Sequence, residues 1–450
     1  MKEFLAKHFK GDAIIWIVFL VLIVVSTLEM FSASSMLVYD RRFHGTAFKP
    51  ILSHMVFLGG GFALAYMIHL VQPKKIFFWG GAVGYVVSIL MLVCALAFGT
   101  SANGASRWIH VPGVGVNLQP SEFAKISVVL LLSSLMGYFH RKKSVDDGLR
   151  YYLAILILPA VLIMLENLST FILLATVAAL LFFVGGISLK KMLPTAGVIL
   201  GALLFVVLLT FAESWIAPEK SGLKVEGVEQ TSERTCVSFV THRVGTWINR
   251  FKRHSGADLS PEERMNAKFD VTSDDKVQTG HSHIAIANGK WFGRGIGNSI
   301  ERDFIPQSFS DFIFAIIVEE CGVMSILLVI LYLALFYRAC VIMNKSESYS
   351  NSFAVIGLSA MIVLQAFIHM SVVLGLIPVT GQPLPIISRG GTSILTTSCY
   401  FGIILALSRT VTEEKQTKGA ESKSSSSKKA QADEKQAKTA DPGVVAELSV

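Results

Sequence analysis

The chain has 450 residues, 52% of them hydrophobic and 16% charged, with a mean hydropathy of +0.57. Water cannot solvate that balance in a globular fold, so a soluble enzyme is excluded and a polytopic membrane protein is expected. The formal net charge of +8 reads as a topology signal with a contribution from anionic lipid, and it carries no indication of nucleic acid.

Apolar runs of spanning length fall at roughly 13–32, 51–71, 77–98, 119–138, 150–166, 169–187, 193–212, 309–338, 353–376 and 391–408. These predict an all-α membrane protein of about ten transmembrane helices. Residues 1–12 form a short basic N-terminus, and no small-residue cleavage site follows the first run, so it reads as a retained helix and not a signal peptide. Lys and Arg beside spans stay on the cytoplasmic side. With Lys2, Lys7 and Lys10 inside, the even-numbered helices end inside beside Lys74, Arg141, Lys190, Arg338 and Arg409. Arg41 and Arg42, in the first outer loop, run against the rule. Both termini are therefore expected in the cytoplasm, with one membrane domain over 13–409.

Between helices 7 and 8 lies a large extracytoplasmic loop, about 213–308, with amphipathic stretches such as Phe239 to Phe251. It is too long for a simple connection. Residues 410–450 read as a disordered cytoplasmic tail, since the tract from Lys415 to Pro442 has no aromatic residue and little to bury. The five cysteines (Cys94, Cys236, Cys321, Cys340, Cys399) show neither a disulfide framework nor metal-ligand spacing. They read as packing thiols. No internal repeat is evident, which weakens an inverted-repeat transporter reading.

Four segments carry candidate chemistry. In NGASRWIHVPGVGVNLQPSEFAKIS, residues 103–127, Gln119 and Pro120 open a helix, and Glu122 and Lys125 at i, i+3 share one face. The two charges form either a structural pair inside the bundle or part of a site at the outer surface. Arg107 before them suits phosphate oxygens, and Trp108 suits the membrane interface. In QTGHSHIAIANGKWFGRGIGNS, residues 278–299, Gly289, Gly293, Gly295 and Gly297 suggest a tight loop over a membrane cleft, with backbone amides available to an anion. His281 and His283 share one side if that segment is extended.

The third segment, IPQSFSDFIFAIIVEECG from Ile305 to Gly322, sets Asp311 at the mouth of a strongly apolar helix, with Ser310 as its expected N-cap. A carboxylate at a membrane helix is expensive and by default functional, although an ordinary helix-terminus acid competes with that reading. Glu319 lies about 12 Å deeper and about 80° round the helix, suited to an internal network. The fourth, LIPVTGQPLPIISRGGTS, residues 376–393, is broken by Pro378, Gly381, Pro383, Pro385, Gly390 and Gly391, and carries Ser388 and Arg389. Broken backbone at a bilayer must be buried in protein or line a wet cavity. All four segments fall at outer helix ends, so they are expected to converge on one cleft suited to an anionic, pyrophosphate-bearing lipid.

The same residues resemble the SEDS family, the FtsW/RodA/SpoVE peptidoglycan glycosyltransferases, from the first helix to about Arg409. The resemblance rests on MFSASSMLVY, NGASRWI with QPSEFAK, HIAIANG with GRGIGNS, SDFIFAIIVEECG and PVTGQPLPIISRGGTS, in that order. It implies polymerisation of lipid II on the outer face of the plasma membrane, with Asp311 as general base for the acceptor's 4-hydroxyl. It also implies substrate binding by Arg107, Glu122, Lys125, Ser388 and Arg389, with Glu319, Gln119 and Pro120 in structural roles. A class B penicillin-binding protein transpeptidase and other division proteins are the implied partners. No cofactor is identified, and a divalent-cation requirement is not written in the sequence. The chain departs from the usual pattern at Gln307 and Phe309, at Arg389, and at Glu166 to Leu168. The SAS segment, the basic tail and the SRGGTS variant, similar to Bacteroidetes-like division proteins, favour the septal FtsW branch. An elongation-type RodA polymerase and a lipid II flippase are the alternatives.

Overall fold

A computed structural model of the chain describes residues 9–33, 48–98, 100–102, 105–111, 116–142, 144–188, 190–192 and 274–411. Among these, eight helical segments are long and apolar enough to cross a membrane, and a ninth, Leu168–Val184, is shorter and apolar. They coincide with nine of the ten expected runs. The tenth run at 193–212, the outer loop to residue 273 with Cys236, the Arg41–Arg42 pair and the C-terminal tail lie outside the described residues.

The helices are α1 (Ala13–Ala33), α2 (Phe48–His69), α3 (Pro73–Phe98), α4 (Pro120–Lys142), α5 (Leu149–Glu166) and α6 (Leu168–Val184). After the undescribed segment come α7 (Asp274–Gly289), α8 (Ile313–Cys321), α9 (Ile326–Lys345), α10 (Tyr349–Val373) and α11 (Gly391–Val411). Helix α10 is the core of the bundle: 83% of its spanning window is buried, against 22% for the peripheral α3. Small residues let it approach α4. A side chain at Gly357 would meet Val129 of α4, and one at Gly137 of α4 would meet Ser350 of α10.

Three local features differ from the sequence expectation. The connection between α3 and α4 forms a small antiparallel sheet, β1 (Thr100–Ala102), β2 (Ala105–Val111) and β3 (Val116–Leu118). Residues 274–289, expected as loop, form α7, so His281 and His283 are helical and do not share one side. The run expected as one helix from 309 is split. Ile313–Lys345 has 33 residues, about 50 Å as a straight helix, whereas the hydrocarbon core is about 30 Å thick. A 3₁₀ turn at Gly322–Ser325 therefore separates the nine residues of α8 from the 20 of α9, and Gly322 at φ +58° makes the turn.

Candidate active site

Asp311 does not stand in the first helical turn. Helix α8 begins at Ile313 with Phe312 as its N-cap, and Asp311 closes a turn in front of it. The amides of Ser310 and Asp311 both donate to the Gln307 carbonyl, at 2.9 and 3.1 Å, and Gln307 takes φ +59° to allow it. Ser310 is thus a turn residue, not an N-cap. Its hydroxyl donates to Asp311 Oδ1 at 2.9 Å, while a Cβ placed on Gly381 would lie 3.5 Å from Asp311 Oδ2. The carboxylate is half-buried and sits against the second broken segment, as the convergence argument requires.

That segment, residues 380–390, docks on the Asp311 turn through its own C-terminal end. Ser388 Oγ donates to the Ser310 carbonyl at 2.6 Å and accepts from the Leu384 amide at 2.7 Å. The Arg389 amide donates to the Phe309 carbonyl at 2.9 Å, and its guanidinium stacks 5.3 Å over the Phe309 ring. Ser388, Arg389 and Asp311 are thereby brought together.

Unpaired buried carbonyls would be costly, and every carbonyl from Gln382 to Ile386 has a donor. His369 Nδ1 lies 2.8 Å from Gln382 O, and Gln365 Nε2 donates to Pro383 O at 3.1 Å. The amides of Ile387 and Ser388 donate to Leu384 O. Tyr332 donates to Pro385 O at 2.7 Å, and Ser26 donates to Ile386 O at 2.8 Å with Ile387 O at 3.2 Å. These side chains come from α1, α9 and α10. They hold Ile386, a β-branched residue at φ +68°, in a conformation that costs about 1–3 kcal/mol and is often found at functional sites.

Lys125 connects to the same segment through Gln365. Its side chain is fully buried, and its ammonium is 2.8 Å from Glu122 and 3.1 Å from the Gln365 side-chain oxygen. Pro120 opens α4, Gln119 accepts the Glu122 amide at 3.2 Å, and its own amide donates to Ser121 at 3.1 Å. Arg107 lies on β2, and the expected contact of its side chain with phosphate lies outside what is described.

In the glycine-rich stretch after α7, the amides of Gly293, Arg294 and Gly295 are taken up by protein carbonyls. The Arg294 and Gly295 amides donate to the Glu319 and Glu320 carbonyls at 2.9 Å each, closing the end of α8. Glu319, fully buried, collects the Ser299 hydroxyl, the Asn288 amide group and the Ile300 and Glu301 backbone amides. His281 sits 2.6 Å from Glu301 and stacks on Phe304. Among the described residues, no three His, Cys, Asp or Glu side chains gather as a metal-binding group.

The sequence profile of the family described as Cell cycle protein (FtsW/RodA/SpoVE) matches residues 12–413. The chain belongs to this family. FtsW/RodA/SpoVE relatives include a probable peptidoglycan glycosyltransferase FtsW of Enterococcus hirae, 31% identical over 91% of this chain and 95% of its own length. The corresponding protein of Haemophilus influenzae is 29% identical over 88% and 89%. Of solved structures, one chain of a peptidoglycan synthase complex coordinating polymerization and crosslinking is similar with a TM-score of 0.59 and 20% identity, covering 89% of this chain and 98% of that one. The rod shape determining protein RodA of Thermus thermophilus is similar with a TM-score of 0.55 and 18% identity, covering 89% and 97%. At such identities these two likenesses show the FtsW/RodA/SpoVE fold alone.

The residues that sequence reasoning missed in this family member are Ser26, His54, Tyr332, Gln365 and His369. One signal was available for them, since each is a polar side chain on an apolar spanning helix. Nothing in the sequence, however, says which backbone carbonyl each one meets.

Proposed function

We propose that this chain is a septal-type peptidoglycan glycosyltransferase that polymerises lipid II on the outer face of the plasma membrane, with Asp311 as general base. The observation that carries the reading is the docking of the Asp311 turn onto the segment bearing Ser388 and Arg389. One carboxylate and one guanidinium-bearing segment end are held together there on backbone that has no regular helix to relax into. The base takes the proton of the acceptor's 4-hydroxyl as that oxygen attacks the donor's anomeric carbon, and the bond to the pyrophosphate breaks. Cations at the outer rim, Arg389 and Arg107 first, stabilise the leaving pyrophosphate. Glu122 and Lys125 support the site through Gln365.

The division role draws support from relatives named FtsW, and the partner reading from the similar chain that forms part of a peptidoglycan synthase complex. A class B penicillin-binding protein then supplies cross-linking. The basic helix ends support a reading with both termini in the cytoplasm and Asp311 outside.

The test is polymerisation of labelled lipid II by the purified chain in detergent, with its cognate transpeptidase and a moenomycin-type inhibitor present. Glycan strands under those conditions support the enzyme, since detergent abolishes sidedness without creating chemistry. No strands, with lipid II translocated in proteoliposomes, would replace the enzyme by a flippase. Depletion in cells separates the branches: filaments support the septal role, rounded cells the elongation role.

A further inference from the structure

We infer that Ser26, His54 and Tyr332 are positioning residues that act on Asp311 through the turn Leu384–Ser388. Ser26 is wholly buried on α1, His54 is buried on α2 and Tyr332 on α9. Tyr332 donates to Pro385 O, Ser26 donates to Ile386 O with Ile387 O 3.2 Å away, and His54 reaches the turn through Ser26, all beside Ile386, the β-branched residue of this segment with a left-handed backbone. Two residues later the same segment grips the Asp311 turn, through Ser388 Oγ on Ser310 O and the Arg389 amide on Phe309 O. Three helices that carry no catalytic group thus set where the base stands.

Hydrogen counting assigns the part of His54. The Ser26 hydroxyl has a single hydrogen, and carbonyl oxygens only accept, so that hydrogen goes to Ile386 O. The contact between Ser26 Oγ and His54 Nε2, 2.9 Å, must then have Nε2–H as donor. His54 holds the serine hydroxyl aimed at the turn. A glutamine at 54 carries its amide hydrogens in nearly the same place, and a leucine fills the volume with no donor.

If these side chains only satisfied carbonyls, their loss would loosen residues 384–388 and go no further. Positioning demands that the disturbance reach the Asp311 turn. The experiment is hydrogen–deuterium exchange on the purified full chain, read at the amides of Ser310, Asp311 and Arg389, in Ser26→Ala, Tyr332→Phe, His54→Leu and His54→Gln. Exchange at all three amides is expected to rise about 10-fold or more in the first three variants and to stay near wild type in His54→Gln. A parallel cycle on lipid II polymerisation rests on the function proposed above. Ser26→Ala should lower kcat about 10-fold with KM within about two-fold, and adding it to Ser388→Ala should cost nothing more.

Unchanged exchange at Ser310 and Asp311 in folded Ser26→Ala and Tyr332→Phe would overturn the inference, as would fully additive losses in the cycle. Should Ser26→Ala fail to fold, the contrast of His54→Gln with His54→Leu decides it, equal exchange in the two counting against. Should the wild-type chain make no polymer, the functional reading fails while the exchange measurement still decides the positioning.

Discussion

Asp311 is the proposed base. One oxygen takes the Ser310 hydroxyl, the other faces the Gly381 backbone, and the side chain is half-buried at the meeting of two loops. Asparagine has nearly the same volume and still accepts from Ser310, but it cannot take a proton. Asp311→Asn is therefore expected to insert and fold as wild type and to lose lipid II polymerisation by roughly 10²-fold or more. Normal strand yield from that variant removes Asp311 from the mechanism. Arg389 is anchored by its own amide and by stacking on Phe309, so Arg389→Lys keeps a charge but loses the planar contact.

At the scale of elements, α4 and the end of α8 make opposite demands. The Glu122–Lys125 pair on α4 is buried on both sides, so its worth lies in not being broken. Lys125→Met leaves a buried carboxylate without its cation and is expected to destabilise by about 3–5 kcal/mol, while Glu122→Gln with Lys125→Met recovers most of that loss. Thermal unfolding of the two purified proteins measures the difference, and equal melting temperatures would count against a coupled pair. Reversing the pair, Glu122→Lys with Lys125→Glu, turns a carboxylate toward the Gln365 oxygen, and polymerisation at the wild-type rate in that protein would free the segment from α4. At the end of α8 the requirement is space. Gly293 has φ +71°, and a Cβ there would collide with the Glu320 carbonyl. Gly293→Ala is expected to cost at least about 1–3 kcal/mol and to raise exchange at the Arg294 and Gly295 amides.

For the whole molecule, the decisive property is sidedness. Phosphatase fusions report it, because the enzyme folds only outside the cytoplasm. Fusions after Ala102 and after Ser299 are expected to be active, and fusions after Lys142 and after Glu347 inactive. The reverse pattern would put Asp311 in the cytoplasm, away from an outer-face reaction, and would sink the polymerase reading as written. The bundle buries α10 and α11 and leaves α3 largely exposed, and the central helix α10 carries Gln365 and His369, two of the polar side chains that hold the broken segment.

The spans, their number in the described residues, the break at Pro378 to Gly391 and the candidacy of Asp311 were all legible in the amino-acid order. Those properties are local: hydropathy sums over one helix, proline and glycine act on their own backbone, and a lone carboxylate in an apolar run is conspicuous. Tertiary structure alone decided what holds the site. Ser26 and Ile386 are 360 residues apart, and no periodicity connects a serine on the first helix with a carbonyl before the last. The same holds for Lys125 and Gln365, 240 apart, and for the glycine amides that turned from a presumed anion cradle into the closure of α8. A hydrogen bond has no sequence signature until two elements pack, so the donors were legible and their acceptors were not.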